Sequence, residues 1–126
     1  QKYNILTGRV AVSGPGISLD VNGNVPAIWL VDITNELFAA GAEAVSINSI
    51  RLTNVTSGFD TIPNGQLLVN GSILKQPYHF EAIGDKKTLR EALEQPLGIL
   101  QRLQQSVKGA EAKLEQKDII MMEKVL

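Results

Sequence analysis

LVDITNELFAAGAEAVSINSIRL, residues 30–52, holds a helix, a glycine turn and a return strand in one run. Leu30, Ile33, Leu37 and Gly41 recur at i, i+3, i+7 and i+11 and so share one helical face, with Thr34 and Phe38 on its flank. Asp32, Asn35 and Glu36 fall towards other sides. Pro26 suits the start of this helix, and Gly41 predicts a left-handed residue at its end. Ala39, Ala40, Ala42 and Ala44 are small enough to let the helix approach a sheet closely. In the strand that follows, Val45 and Ile47 have one parity and Ile50 and Leu52 the other, so the alternation slips at Asn48-Ser49. A bulge or a tight turn would restore a common apolar face, and a bulged strand is the expectation.

Upstream, residues 4–12 carry β-branched residues in rough alternation and read as a strand. Ser13-Gly14-Pro15-Gly16 has the composition of a turn, and Ile17 to Val21 alternates strictly, which together predict a hairpin. Asp20-x-Asn22-x-Asn24 has the opening of a calcium loop. Val25 and Val31 stand where such a loop needs glycine and glutamate, so a solvated turn is the reading.

Downstream, residues 53–65 are rich in Thr, Ser, Asn and Gly and read as a connection. Gln66 to Val69 runs into Asn70-Gly71, a hairpin signal, with Tyr78 to Ile83 as the expected partner strand. Asp85 is placed to cap a helix that buries Leu89, Ala92 and Leu93 and stops at Pro96. A second helix puts Leu97, Leu100, Leu103, Gln104 and Val107 on one stripe and ends at Gly109. Residues 110–117 are good helix formers, yet Ala110, Ala112 and Leu114 alternate with Glu111, Lys113 and Glu115. That is the period of a strand with one wet face, and strand is the reading chosen. The order β-β-α-β-β-β-α-α-β predicts an α+β fold: a ferredoxin-like sandwich, mostly antiparallel, with helices packed on one face.

The 126 residues suit a single domain, 1–126, with enough chain to bury a core. A formal net charge of −1, with basic residues scattered, gives no electrostatic footprint for nucleic acid. The absence of cysteine excludes disulfides and thiolate chemistry. The longest apolar run, Ala27 to Val31, is far short of the roughly 20 residues of a membrane helix. The chain opens on Gln1-Lys2 and reads as a piece of a longer protein, with any anchor upstream.

No Walker loop, dinucleotide fingerprint or nucleophile elbow is present. His79, the only histidine, sits in a predicted strand, where a lone histidine is far more often a surface or hydrogen-bonded residue than a general base, so no catalytic residue, metal site or cofactor is assigned. The polar group with a chance to converge on a ligand is Asn35, Glu36, Asn48 and Arg51, with Arg51 as a forked donor to an anionic or amide-bearing molecule. The plainer reading is structural: Glu36 pairing with Arg51 or with backbone, and Asn48 supplying the backbone angle at the slip. Asn54-Val55-Thr56 and Asn70-Gly71-Ser72 match a glycosylation pattern and are read only as surface turns.

Several strings resemble the bacterial domain of unknown function 881, whose members include YlxW- and YlxX-like proteins. They are Gly14-Pro15-Gly16, Asn35-Glu36-Leu37 leading into Ala39-Ala40-Gly41-Ala42-Glu43-Ala44-Val45-Ser46, Asn48, Arg51-Leu52, Val69-Asn70-Gly71, Pro77-Tyr78, Ala82-Ile83-Gly84-Asp85 and Ala92-Leu93. They occur in the family's order and span nearly the whole chain. Pro96-Leu97-Gly98 departs from a common Pro-Gly-Gly, and Lys86 stands where many members have proline. The family has no established catalytic residues to carry over. The resemblance implies an upstream membrane helix and coiled-coil-like segment, with this domain on the extracytoplasmic side of the bacterial plasma membrane. The expected function is therefore a non-enzymatic interaction domain of a membrane-anchored cell-envelope protein, linked to cell division by gene association. Its expected partners are envelope proteins or a second copy in a homodimer. The alternative is a small-ligand sensor with its pocket at Asn35, Glu36, Asn48 and Arg51.

Overall fold

In the computed structural model, residues 11–52, 59–61, 67–69 and 72–123 are described. Strand β1 (Val12–Asn22) is followed by helix α1 (Ala27–Ala39) and the short strands β2 (Ala44–Ile47), β3 (Ile50–Leu52), β4 (Phe59–Thr61), β5 (Leu67–Val69) and β6 (Ser72–Leu74). Then come β7 (Tyr78–Ile83), α2 (Lys86–Glu94), α3 (Ile99–Ser106) and the long last strand β8 (Glu111–Met122). Five strands form one sheet in the order β3-β2-β7-β1-β8, and β4-β5-β6 form a second. Every paired strand in both sheets is antiparallel, so the fold is α+β.

Alternation along the strands sorts the side chains by face. Ile17, Leu19 and Val21 of β1, Val45 and Ile47 of β2, and Phe80 and Ala82 of β7 join Leu30, Ile33 and Leu37 of α1 in one core. Leu89 and Leu93 of α2 and Ile99, Leu100 and Leu103 of α3 belong to the same cluster, so the three helices cover this face. Val69 and Leu74 extend the core into the small sheet. Helix α1 ends as its sequence suggests, with Gly41 at φ +98°. The Asp85 side chain caps α2 by accepting from the Thr88 backbone N–H at 3.2 Å. Residues 111–117 are strand: helix propensity yields to pairing with β1.

Five local expectations are corrected. Gly14-Pro15-Gly16 is not a turn but the middle of β1. A Cβ at Gly16 would lie 1.8 Å from the carbonyl oxygen of Ala82, and Gly84 N–H donates to the Pro15 carbonyl at 2.8 Å. The glycine is thus used for close approach to β7. Of the strand expected over 4–12, only Ala11 and Val12 are among the described residues, and Val12 begins β1.

Asn48-Ser49 is a two-residue turn rather than a bulge. Both have positive φ, 48° and 68°, and Ile47 pairs with Ile50 across them, the geometry of a tight hairpin. The 53–65 connection contains β4; its remaining residues lie outside the described ones. The hairpin partner of β5 is β6, with Val69 opposite Ser72, while Tyr78–Ile83 pairs with β1 and β2 in the main sheet. Asn70 and Gly71, like Asn54, lie outside the described residues. Finally, Leu97 stands outside α3 with φ +60° and is 73% exposed, because the helix begins only after Gly98. Gln104 is exposed as well.

Candidate functional site

Strand register places a polar row across the face away from the helices. Arg51 is opposite Ser46, Ser46 opposite Glu81, Glu81 opposite Ser18, and Ser18 opposite Glu115. All five strands of the main sheet therefore contribute one polar side chain to a single transverse line. The neighbouring line holds Lys113, Asp20 and His79. His79 Nδ1 lies 2.6 Å from Asp20 Oδ1, and its Nε2 lies 3.8 Å from Glu81 Oε2. Because an ionised carboxylate only accepts, the Nδ1–H donates to Asp20. An orienting acid for His79 thus comes from β1, far away in sequence.

One end of this face is roofed. Between Gly16 and Gly14 the partner on β8 moves from Lys117 to Ile120, so β8 carries one extra residue there. The bulge reverses its parity. Ile120 and Met122 turn to the polar side and pack with Val12, Ala44 and Ile83 in a second small core. Ile119 and Met121 are left 71% and 76% exposed. Beyond the bulge, Arg51 Nη1 donates to the Glu123 carbonyl at 3.3 Å. Ser46, Ser49, Arg51, Glu81, Met121, Met122 and Glu123 enclose a cleft of about 180 Å³. Arg51 is only 5% exposed, and this burial pushes its guanidinium pKa below the ordinary value.

The four residues singled out from the sequence do not meet. Arg51 faces away from α1, because its ladder neighbours Leu52 and Val45 sit in the core with Leu30 and Ile33. Asn35 is exposed on α1 and Glu36 half-buried there. Asn48 is structural: its Oδ1 accepts from His79 N–H at 2.7 Å, and its Nδ2 donates to the Lys75 carbonyl at 3.1 Å. Ser18, Ser46, Glu81 and Glu115 were missed. Each is the polar member of an alternating strand, but only strand order aligns them.

The sheet's two edges differ sharply in length. At one end stands β3, with 3 residues; at the other stands β8, with 12. Among the described residues no strand lies outside β8. Its polar face alternates Glu111, Lys113, Glu115 and Lys117, and Lys117 Nζ donates to Glu115 at 3.1 Å. That bond, with the charges of Lys117 and Lys113, holds the Glu115 carboxyl below its ordinary pKa. On the helix side, Leu100, Gln101, Gln104, Ala112, Leu114 and neighbouring residues line a groove of about 550 Å³ between α3 and β8.

The bacterial family described as a protein of unknown function (DUF881) matches residues 1–125. The UPF0749 proteins Rv1825 of Mycobacterium tuberculosis and Mb1856 of Mycobacterium bovis are each 39% identical over 102 residues, covering 75% of this chain. The match spans about a third, 34%, of each relative's length. A crystal structure of an uncharacterized conserved protein from Mycobacterium tuberculosis superposes with a TM-score of 0.85 at 32% identity. That likeness covers 98% of this chain and 89% of the other.

Proposed function

The chain belongs to the bacterial DUF881 family, and from that premise we propose that it is a non-catalytic interaction module of a longer cell-envelope protein. The observation that carries this reading is the long outer edge of β8. A strand rises about 3.3 Å per residue, so residues 111–117, before the bulge, offer roughly 23 Å of regular backbone for pairing with another chain. Exposed Ile119 and Met121 stand at its far end. His79 hydrogen-bonds Asp20 and lies beside Glu81, next to a sheet face whose serines are buried, an arrangement suited to holding strands in register.

The reading includes an upstream membrane anchor and a position outside the plasma membrane, with a role in division or envelope upkeep. These rest on the family resemblance. No helix among the described residues is long and apolar enough to cross a membrane. The finer fold reading is ferredoxin-like. It is supported by the order β2-β7-β1-β8, with α1 joining β1 to β2 and the α2–α3 pair joining β7 to β8. Strands β3 to β6 are then an insertion.

Two measurements on the full-length protein test the proposal. Protease added outside spheroplasts should remove this domain; its survival there overturns the placement. A photocrosslinking residue at Ile119 should capture a neighbouring envelope protein or a second copy, whereas one at Asn35 on α1 should not. Absence of any product from β8 positions ends the interaction reading.

A further inference from the structure

The alternation of charge along β8 specifies a partner. A second copy of this chain laid antiparallel on the outer edge must keep residues of equal parity opposite one another, or helix-side residues would face polar-side ones. With the two-fold axis at Leu114, Glu111 meets Lys117 of the second copy and Lys113 meets Glu115, each twice by symmetry. Leu114 then meets itself, and Ala112 meets Gln116. Moving the axis two residues along, to Ala112 or Gln116, leaves some of these charges without an opposite partner. Moving it one residue, to Lys113 or Glu115, sets glutamate against glutamate or lysine against lysine. Opposite charges directly across an antiparallel pair attract and like charges repel, so one register satisfies all four residues.

We infer that β8 is a self-pairing edge: two copies join antiparallel about Leu114 to make a continuous ten-stranded sheet from two five-stranded ones. This rests on the interaction reading above and names the partner. The side chains are disposed for it. Lys113 is 78% exposed, and Glu115 and Lys117 are 48% and 43% exposed. Leu114 and Ala112 are partly buried against the core and also floor the groove beside α3. In the pair, the two grooves meet at the axis with their α3 glutamines towards each other, covering apolar surface that one copy leaves open. The bulge at the far end of β8 turns the strand before Ile119, which confines the ladder to residues 111–117.

The test is charge exchange, read by sedimentation equilibrium of the whole chain. At concentrations up to about 300 µM, suited to a small interface, the wild-type chain should dimerise. Lys113→Glu and Glu115→Lys each place like charges opposite in two symmetric pairs and should each weaken the dimer about tenfold or more. Mixed in equal amounts, the two variants should form a heterodimer close to wild-type affinity, since the glutamate introduced in one chain then meets the lysine introduced in the other. The mixture is its own folding control. As a register check in this cysteine-free chain, Leu114→Cys should give a disulfide-linked dimer on mild oxidation and Gln116→Cys should not. A strictly monomeric wild-type chain, an unrescued mixture, or linkage at 116 but not at 114 overturns the inference. Should crosslinking from Ile119 still capture a different envelope protein, the interaction reading stands and only the self-pairing falls. Loss of both removes the reading itself.

Discussion

On the helix-covered face of the main sheet, Leu19, Phe80 and Ile47 are at most 1% exposed and belong to one apolar core. On the other face, at the intervening positions of the same strands, stand Ser18, Glu81 and Ser46, aligned with Arg51 and Glu115. The covered face is held by burial of area, about 25 cal/mol per Å², and depends on shape. The polar face is held by register, through hydrogen bonds, ion pairs and the end of β8 beyond its bulge. The difference teaches that stability and strand order are carried by separate sets of residues in this domain, so substitutions should separate the two.

The largest effect belongs to the covered face. Phe80→Ala should cost about 3–5 kcal/mol, read as a lowered urea midpoint at unchanged slope. A loss below about 1 kcal/mol would mean that this face is not a packed core. Next comes the close approach of β1 to β7: Gly16→Ala should cost about 3 kcal/mol, because its Cβ would sit on the Ala82 carbonyl.

The roofed corner gives a smaller and paired test. Ile120→Val should cost about 0.5–1.5 kcal/mol, whereas Ile119→Val should be close to neutral. Equal effects at the two positions would refute the parity reversal at the bulge. Ser49→Gly should stabilise by about 1 kcal/mol, since Ser49 holds a positive φ that glycine adopts freely. Thermal melts of that variant that match or fall below wild type would show that the Ser49 side chain does more than close the turn.

The smallest effect is electrostatic. The Thr88 hydroxyl and then its backbone N–H donate to Asp85, and both hold the carboxyl below its ordinary pKa. A carboxyl lowered in the folded state stabilises above its unfolded pKa, and the contribution fades as pH falls through the folded value. Asp85→Asn, which keeps a capping oxygen, should therefore melt slightly below wild type at neutral pH, with the gap narrowing in acid. A gap that widens in acid would contradict the sign.

Much of the covered face was legible in the sequence, because 3.6-residue and two-residue periods report burial locally. Leu30, Ile33 and Leu37 announced α1, Asp85 announced the cap of α2, and alternation from Ala110 to Glu115 identified β8 against its helix propensity. The polar face was not legible, since its meaning lies in which strands adjoin. His79 looked isolated because Asp20 is 59 residues away in sequence. Gly14-Pro15-Gly16 looked like a turn because its reason, the carbonyl of Ala82, belongs to another strand. At Asn48-Ser49 a bulge and a turn restore the same apolar face, so parity alone could not choose. Asn35 and Glu36 were grouped with Arg51 by nearness in sequence, but a sheet stands between them.

The pairing of Val12 with Met122 has a mechanical side. The start of β1 and the end of β8 therefore lie at one corner of the main sheet. Tension applied across that corner would open the ladder like a zip, one residue pair at a time from Val12–Met122 inwards, and the bulge between Ile120 and Lys117 would be the first tooth at which the pitch changes. Tension applied to the outer edge of β8 by a partner would instead load many bonds of the β1–β8 ladder together. The same strand is therefore weak when pulled from its end and strong when gripped along its length.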